Sequence, residues 1–523
     1  MRRVLTAALA ALLCTGAQAQ SRAIAVDGGR IDGVVLASGV SAWLGVPFAA
    51  PPVRDLRWKA PRSVTPWRGT FHADRFAPEC LQPLRGSRQN HYFGNEASSE
   101  DCLYLNIWAP RAARKAPVIV WIYGGGFTIG SASMANYSGA PLARDGVVRV
   151  NLAYRVGPLG FFAHPELSRE SGSGSGNYGL MDQIAGLQWV RRNIAKFGGD
   201  PDNVTIVGQS AGSMSVALLQ MSPAAKGLFY RAVGMSGSPF GAMLGPVPLA
   251  TAEAQGLALQ KELGAASLAA LRALPGDTIT AATTRRDAIV QDGRIVSGTA
   301  EQVFAARTQN DVPILIGYTK DESFRPLGAV ADRAALTRVV RDRFGGRADA
   351  ILAAYADTDA RRAAADIARD ATVGFQMAEW ATFQARYGRQ PAYAYLFTRR
   401  QPYAPGVVFS DHDPATVGAY HSGDVPYWLR TRQSLDLFRR TRMWEAGDVS
   451  LEREMADALL AFARGGIPAS PVVGRWPMFD PAAPRLVWLA PESRAIAWPH
   501  FADMALFRGD TVPPRPTPAR PRD

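Results

Sequence analysis

A serine flanked by two glycines, with a strand pattern before it and a helix pattern after it, constrains the fold of this chain more than any other feature. Residues 208–212 read Gly-Gln-Ser-Ala-Gly. Residues 203–207 form a short apolar run typical of a strand, and residues 213–220 follow a pattern typical of a helix. The glycines let neighbouring backbones approach closely, as a tight turn requires. This strand-turn-helix arrangement predicts that Ser210 is a nucleophile whose hydroxyl is exposed at the turn.

Apolar runs bounded by Gly and Pro alternate with helical patterns along the rest of the chain. Strands are predicted at residues 117–123, 147–154, 230–235, 312–317 and 392–397, and a helix at residues 180–197. Such alternation predicts a large, mostly parallel central sheet flanked by helices. Residues 330–390 are rich in Ala and Arg and are predicted to form a helical lobe over the active site. No shift in composition divides the chain, so a single domain over residues 20–510 is expected.

A glycine triplet follows the predicted strand at residues 117–123. Gly124, Gly125 and Gly126 lie upstream of Ser210, where a loop with backbone donors is needed. Backbone N–H groups stabilise the negative charge that develops on a carbonyl oxygen, because they are fixed before reaction begins. The triplet is therefore a candidate oxyanion loop, although a simple glycine-rich turn is the alternative.

The first residues have the pattern of a targeting segment. Arg2 and Arg3 are followed by an apolar run at residues 4–13 and then by Ala-Gln-Ala at residues 17–19. This pattern predicts a signal peptide over residues 1–19, cleaved near Ala19 and Gln20, and hence a secreted or periplasmic protein. The run is too short to span a bilayer; a buried N-terminal helix is the alternative. At the other end, residues 511–523 are rich in Pro and Arg and are predicted to be a disordered tail.

Two cysteines remain once Cys14 leaves with the leader. In an exported protein, the single pair Cys80 and Cys102 favours a disulfide over two free thiols. The bond would close a loop of about twenty residues, worth about 3 kcal/mol in the chain-entropy model.

The formal charge of +13 raises the question of a polyanionic partner. The cations are almost all Arg, scattered through every segment, and no basic motif interleaved with aromatic residues accompanies them. A solvated surface without a nucleic-acid partner is therefore predicted.

The sequence holds no His-Glu-x-x-His, no clustered Cys and His, and no phosphate-binding loop beside a lysine, so neither a metal nor a cofactor is expected. No segment beyond the leader predicts a membrane span. The Gly/Ser repeat at residues 171–176 predicts a flexible loop.

Three further segments carry a family resemblance. They are Leu-Gly-Val-Pro-Phe-Ala at residues 44–49 followed by two prolines, Glu-Asp-Cys-Leu-Tyr-Leu-Asn at residues 100–106, and Phe-Gly-Gly-Asp-Pro-Asp-Asn-Val at residues 197–204. With these motifs the chain resembles the type-B carboxylesterases, relatives of the cholinesterases, over about residues 28–505. The resemblance implies an α/β-hydrolase fold, with Ser210 as nucleophile. It also implies oxyanion donors at Gly125, Gly126 and Ala211, a Cys80–Cys102 disulfide, and ion pairs Arg57–Glu100 and Arg155–Asp182.

The other two members of a triad follow the serine in the order acid, then histidine. Residues 314–322 resemble the family's strand-end segment, which implies Glu322 as the acid, with the neighbouring Asp321 as its rival. Residues 418–427 resemble the family's histidine segment, which implies His421 as the general base among six histidines. His412 is the runner-up.

Departures from the family pattern bear on the substrate. Gln209 stands where the family usually has Glu, so no charge attracts a cationic substrate or repels an anionic one. Tyr92 and Phe93 lie in a loop where cholinesterases present a tryptophan to choline, and Tyr123 precedes the glycines where many esterases have His. Phe127 completes the predicted substrate pocket.

These features together predict a serine carboxylesterase that hydrolyses small-molecule esters through an acyl-enzyme intermediate. Neutral or carboxylate-bearing esters are expected as substrates, and choline esters are not. An amidase or transacylase with the same triad is the alternative, as is a non-catalytic recognition protein with this fold. The oligomeric state is left open.

Overall fold

A computed structural model of the chain describes residue 21 and residues 23–83, 97–241, 245–284 and 289–508. Its framework is an 11-stranded sheet. In chain order the strands are β1 (Val34–Val35), β2 (Val40–Pro47), β3 (Tyr104–Pro110), β4 (Ala116–Ile122), β5 (Val148–Leu152), β6 (Gly199–Gln209), β7 (Arg231–Met235), β8 (Ile314–Thr319), β9 (Ala392–Phe397), β10 (Arg485–Leu489) and β11 (Arg494–Ala497). Across the sheet they lie in the order β11-β10-β9-β8-β7-β6-β4-β5-β3-β2-β1.

The sheet is parallel in its centre and antiparallel at both edges. Strands β10, β9, β8, β7, β6, β4 and β5 pair in parallel. The edge strands β1, β2, β3 and β11 pair antiparallel with their neighbours. The prediction of a mostly parallel sheet is therefore confirmed, and the carboxyl ends of β6, β7, β8 and β9 meet at one edge, where ligands bind in open α/β sheets.

Helices cover the sheet and fill the connections. They are α1 (Ala140–Arg144), α2 (Gly157–Gly160), α3 (Pro165–Ser171), α4 (Tyr178–Asn193), α5 (Ala211–Met221), α6 (Leu249–Glu262), α7 (Leu268–Ala273), α8 (Gly276–Thr280), α9 (Ala300–Ala305), α10 (Arg333–Phe344), α11 (Ala348–Ala354), α12 (Ala360–Arg369), α13 (Phe375–Tyr387), α14 (Val425–Trp428) and α15 (Ala446–Gly465). Helix α5 packs on β6 and β7, α15 on β4 and β6, and α13 on β8 and β9.

The central strands are largely apolar because both faces of the sheet are covered. In β4, residues 118–122 are completely buried, as are residues 204–207 in β6. A strand buried on both faces lacks the polar alternation of a half-exposed strand. These continuous apolar runs are the same ones that predicted strands from the sequence.

Smaller elements surround this core. Strands Ile24–Val26, Gly29–Asp32 and Thr70–His72 form a 3-stranded sheet, and two-residue strands pair Glu79–Cys80 with Ser98–Ser99, Val247–Pro248 with Val290–Gln291, and Ala469–Ser470 with Gly474–Arg475. Residues 330–390 form helices α10 to α13, as predicted. Within the described ranges, no helix has the length and apolarity needed to cross a membrane.

The predicted covalent and ionic links are present. Cys80 and Cys102 form a disulfide, which is compatible with an extracellular protein. Beside it, Arg57 donates to both carboxylate oxygens of Glu100 and to the Leu274 carbonyl at 2.7 Å. The second predicted ion pair, Arg155–Asp182, is buried, with nitrogen-oxygen distances of 2.8 and 2.7 Å.

After Ser171 the Gly/Ser repeat forms a loop, as predicted, while its flexibility stays a prediction. Helix α3 continues through Ser171 and ends at Gly172, which adopts the left-handed conformation. Ser175 is buried, and its hydroxyl accepts a hydrogen bond from the His164 N–H at 3.0 Å. A composition typical of linkers therefore serves here as a helix end and a packed turn.

Candidate active site

Ser210 sits on a strained turn between β6 and α5. Its backbone has φ 59° and ψ −124°, a conformation that is costly for a residue with a side chain. The Ser210 N–H donates to the Met235 carbonyl at 2.8 Å. A Cβ on Gly208 would lie 2.3 Å from the Gly212 carbonyl oxygen, and a Cβ on Gly212 would lie 2.1 Å from that of Ile122. Only glycine fits at both positions, which explains the motif that the sequence displays.

The glycine triplet packs directly against this turn. A Cβ on Gly124 would lie 2.4 Å from the Gln209 carbonyl oxygen. The N–H groups of Gly125, Gly126 and Ala211 donate no hydrogen bond to any residue in the described ranges. Ala211 is also the first residue of α5, where the helix dipole is positive. Backbone donors without protein partners thus surround the serine.

A carboxylate and an imidazole meet at the ends of neighbouring segments. Glu322 follows the end of β8, and its Oε2 is hydrogen-bonded to Nδ1 of His421. Its Oε1 accepts from the Ser236 hydroxyl and the Thr319 N–H, both at 2.7 Å. The Glu322 side chain is 1% exposed and the His421 side chain 35%. Because a carboxylate only accepts hydrogen bonds, Nδ1 carries the proton and the lone pair of His421 lies on Nε2.

That lone pair faces Gln209. The Gln209 amide Nε2 lies 3.1 Å from His421 Nε2 and donates to it. Both residues are described, and no hydrogen bond joins the Ser210 hydroxyl to His421. Phe324 meets the imidazole edge-on, with ring centroids 5.2 Å apart. Gln209 is therefore in direct contact with the imidazole.

The alternatives raised by the sequence have other contacts. His412 bonds to the Tyr403 hydroxyl at 2.9 Å and to Asp411 at 3.1 Å. Asp321 contacts the main chain of the His421 loop and not its ring. Sequence reasoning missed Ser236, which follows β7 as Ser210 follows β6. A polar residue directly after the neighbouring parallel strand was the available signal.

The predicted pocket residues have different surroundings. The Tyr123 side chain is 1% exposed, donates to the Tyr154 carbonyl at 2.7 Å and stacks on that ring. These are the contacts of a core residue, so Tyr123 does not belong to the pocket. Phe127 packs against Phe161, with ring centroids 4.9 Å apart. Tyr92 and Phe93 lie outside the described residues.

A cavity of about 670 Å³ lies beside Glu322, a volume typical of ligand pockets. Residues 326–331 form one wall, and Arg361, Ala364, Ala365 and Ala368 of α12 form the other. Asp321, Glu322 and Ser323 close it, whereas Ser210 and His421 are not among its lining residues. It is thus a space adjoining the acid and not the surroundings of the serine.

The part of the chain that the structure describes contains no cluster of three or more His, Cys, Asp or Glu side chains suited to a metal ion. The expectation that no cofactor is needed stays a prediction, since it rests on the sequence motifs.

A second buried carboxyl group lies close to the first. Asp424 Oδ2 accepts from the Tyr395 hydroxyl at 2.7 Å, and Oδ1 has no hydrogen-bond partner among the described residues. Burial raises the pKa of Asp424 to about 6, and the charge of Glu322 acts in the same direction, although the Tyr395 bond opposes it. Folded Asp424 therefore keeps its proton at a pH where the unfolded chain releases it.

Replacing Asp424 with Asn should flatten the dependence of stability on pH. The raised pKa means that stability falls as pH rises from about 4 to about 6, and a shift of about two units corresponds to about 3 kcal/mol. The free energy of unfolding of Asp424→Asn, relative to the parent, should therefore rise by about that amount between pH 4 and pH 7. Denaturant titrations across this range measure it. The control is Asp357→Asn, at an exposed position. If the free energy of unfolding depended on pH in the same way in Asp424→Asn and in the parent, the raised pKa of Asp424 would be contradicted.

A model of the carboxylesterase family matches residues 20–497. Among characterised relatives, the chain is 36% identical over 478 residues to fumonisin B1 esterase of Sphingopyxis macrogoltabida, covering 86% of this chain and 83% of the relative. It is 32% identical over 494 residues to phenmedipham hydrolase of Pseudarthrobacter oxydans, covering 89% and 94%. It is 32% identical over 543 residues to acetylcholinesterase of Bungarus fasciatus, covering 91% and 85%.

Solved structures agree with these sequence matches. A solved structure of PNB esterase superposes with a TM-score of 0.78 at 29% identity, covering 93% of this chain and 99% of that one. The likeness thus extends over most of the chain. The chain belongs to the carboxylesterase family and is a carboxylic ester hydrolase with the α/β-hydrolase fold.

Proposed function

We propose that Ser210, His421 and Glu322 form the catalytic triad of this esterase. The observation that carries the proposal is the hydrogen bond from His421 Nδ1 to Glu322, at the sheet edge where the strained Ser210 turn also lies. This bond leaves Nε2 as the basic nitrogen. An ordered acid and base beside a partly exposed serine is the arrangement that acyl transfer requires.

The reaction follows from these contacts. Ser210 Oγ attacks the ester carbonyl carbon while His421 Nε2 takes the hydroxyl proton. The N–H groups of Gly125, Gly126 and Ala211 hold the negative oxygen of the tetrahedral intermediate. The alcohol leaves with the proton from His421, and Ser210 retains the acyl group. His421 then activates water, which releases the acid and restores the serine.

The imidazole must also change partner during this cycle. Its Nε2 accepts from Gln209 at 3.1 Å, whereas catalysis needs it to accept from Ser210. Catalytic hydrogen bonds are often long in free enzymes and tighten when substrate binds. Gln209 is an uncharged donor at this position, so it orients the imidazole without adding a carboxylate beside it.

We further propose that the substrates are neutral or carboxylate-bearing esters and not choline esters. Support comes from Gln209, which places no negative charge next to His421. The named substrates of the relatives, fumonisin B1 and phenmedipham among them, indicate that members of this family differ widely in substrate. Phe127 on the glycine loop and the segment containing Tyr92 and Phe93 are the proposed pocket residues.

A set of p-nitrophenyl esters with matched acyl chains tests both proposals. The enzyme should hydrolyse the neutral butyrate and the anionic glutarate monoester. Its kcat/KM for the cationic trimethylammonio-butyrate should not exceed that for butyrate. Gln209→Glu should lower the ratio of kcat/KM for glutarate to that for butyrate by about 10-fold, since a charge then faces the substrate at short range. The ratio cancels any change in the protonation of His421, which all substrates share.

The matched control is Gln433→Glu, an exposed site whose replacement should leave the ratio unchanged. A strong preference of the parent for the cationic ester would contradict the proposed substrate class. No hydrolysis of any ester in the set would contradict the triad as well.

We also propose that residues 1–19 are a signal peptide removed on export, that residues 20–510 form one catalytic domain, and that residues 511–523 are a tail. The Cys80–Cys102 disulfide supports export, since such bonds persist in oxidising compartments. Both terminal segments lie outside the described residues. N-terminal sequencing of protein from the periplasm should begin near Gln20.

A further inference from the structure

The loop that carries His421 is tied to the strand end that carries Glu322 through a second carboxylate. The Asp321 N–H donates to the Ala419 carbonyl at 3.0 Å. In return, the Ala419 N–H donates to Asp321 Oδ2 at 2.8 Å. These two bonds close a ring between the residue before Glu322 and the residue two positions before His421. The main chain of the histidine loop is thereby fixed independently of the imidazole.

Gly418 makes room for this carboxylate. A Cβ at Gly418 would lie 2.4 Å from Asp321 Oδ2, and the glycine has φ +64°. A side chain at this position would displace the carboxylate or move the loop. The space beside the loop is therefore occupied by Asp321.

Helix α12 holds the other oxygen of Asp321. Arg362 pairs with Asp321 Oδ1 and with both oxygens of Asp366, the latter at 2.8 and 2.6 Å. Arg369 also donates to the Lys320 carbonyl at 3.1 Å. The Arg362 and Asp321 side chains are only 25% and 23% exposed, so the pair is largely shielded from water. Asp321 is therefore held on one side by α12 and bonds to the histidine loop on the other.

We propose that Asp321 is a positioning residue for catalysis: its carboxylate clamps the main chain at residues 418–419 and so sets the distance from His421 to Ser210. This inference rests on the proposed triad. Hydrogen bonding to Glu322 orients the imidazole ring, whereas the Asp321 carboxylate, together with the main-chain bond from Asp321 to Ala419, holds the backbone that carries it. A displacement of about 1 Å in a reacting group can reduce the rate by about 100-fold. Without the carboxylate, the buried Ala419 N–H would also lose its partner.

Kinetics of Asp321 variants test the clamp. Asp321→Ala should lower kcat for p-nitrophenyl butyrate by about 30- to 100-fold, with KM within about 3-fold of the parent, because alignment and not binding is lost. Asp321→Asn should stay within about 10-fold, since its amide oxygen can still accept from Ala419. Asp349→Ala, which breaks the exposed Arg341–Asp349 pair, should leave kcat unchanged. Thermal unfolding of each variant sets an assay temperature at which all are folded.

A double-mutant cycle with Gly418 separates a clamp from general destabilisation. Gly418→Ala alone should lower kcat by about 10-fold or more, because the new Cβ collides with the Asp321 carboxylate. In the Asp321→Ala background the collision is gone, so the same change should cost less than about 3-fold. Additive losses would overturn the clamp, as would a kcat of Asp321→Ala within about 3-fold of the parent, which is about the error of such comparisons. If Ser210→Ala were inactive while Asp321→Ala kept the kcat of the parent, only the clamp would be overturned. Full activity in Ser210→Ala would instead overturn the proposed triad.

Discussion

Replacing Ser210 with Ala should lower kcat for p-nitrophenyl butyrate by about 10⁴-fold or more. In the proposed mechanism the hydroxyl forms the covalent bond to the acyl group, and Ser210 carries the only hydroxyl among residues 208–212 of the strained turn. The backbone donors at residues 125, 126 and 211 remain, so a small residual rate above that of water is expected. Steady-state and single-turnover kinetics on the purified variant give the value.

The matched control lies on the helix that follows Ser210. Ser215 of α5 faces α4, where its hydroxyl accepts from Gln183 at 3.0 Å. Ser215→Ala should keep kcat within about 3-fold of the parent, as expected for a packing residue away from the reaction. If Ser210→Ala retained a tenth or more of the parent kcat, about 1.4 kcal/mol in the barrier, Ser210 would not be the nucleophile.

Glu322→Gln should lower kcat by about 10³- to 10⁴-fold while leaving the fold intact. Two donors, the Ser236 hydroxyl and the Thr319 N–H, face Oε1. The amide oxygen of the new Gln must take that place, so its NH₂ group faces His421 Nδ1. The imidazole then presents a lone pair at Nδ1 and carries its proton on Nε2, where it can no longer accept from Ser210.

Two variants make this result specific. Asp411→Asn changes the carboxylate beside His412, a comparable pair at 3.1 Å, and should leave kcat nearly unchanged. Asp321→Asn distinguishes the two adjacent candidates for the acid. A larger loss in Asp321→Asn than in Glu322→Gln would transfer the role of the acid to Asp321.

Much of the fold follows from local sequence patterns. Strand β9 coincides with the run predicted at residues 392–397, and α5 begins at Ala211 as the elbow motif requires. Strand β6 extends back to Gly199, beyond the predicted residue 203, because Gly199 pairs with Ala116 of β4. That extension depends on a neighbouring strand, so the apolar pattern alone does not predict it.

The contacts within the site are harder to predict from the sequence when they join residues that lie far apart in the chain. Motifs point to Ser210, Glu322 and His421 one at a time, because each follows a recognisable segment. The bond from Ser236 to Glu322 spans 86 residues and that from Gln209 to His421 spans 212. No local pattern encodes such distances, and they become visible only when the sheet brings the strand ends together.

Burial explains the error at Tyr123. Tyr123 precedes the glycines in sequence, but its side chain enters the core and bonds to Tyr154. The side chains of adjacent residues at a strand end point to opposite faces, so proximity in sequence does not give proximity to the site. The Gly/Ser repeat is a loop as predicted, but the contact of its Ser175 with His164, on the other side of α3, is not visible in its composition.

Covalent trapping with diethyl p-nitrophenyl phosphate tests the central claim most directly. An activated serine attacks phosphorus, expels p-nitrophenolate and keeps the diethylphosphoryl group, so the stoichiometry can be read from colour and the site from peptide mass spectrometry. The account predicts one phenolate released per chain, an adduct on Ser210, and loss of esterase activity in step with labelling. An adduct on any other residue, or inactivation without modification of Ser210, would contradict it.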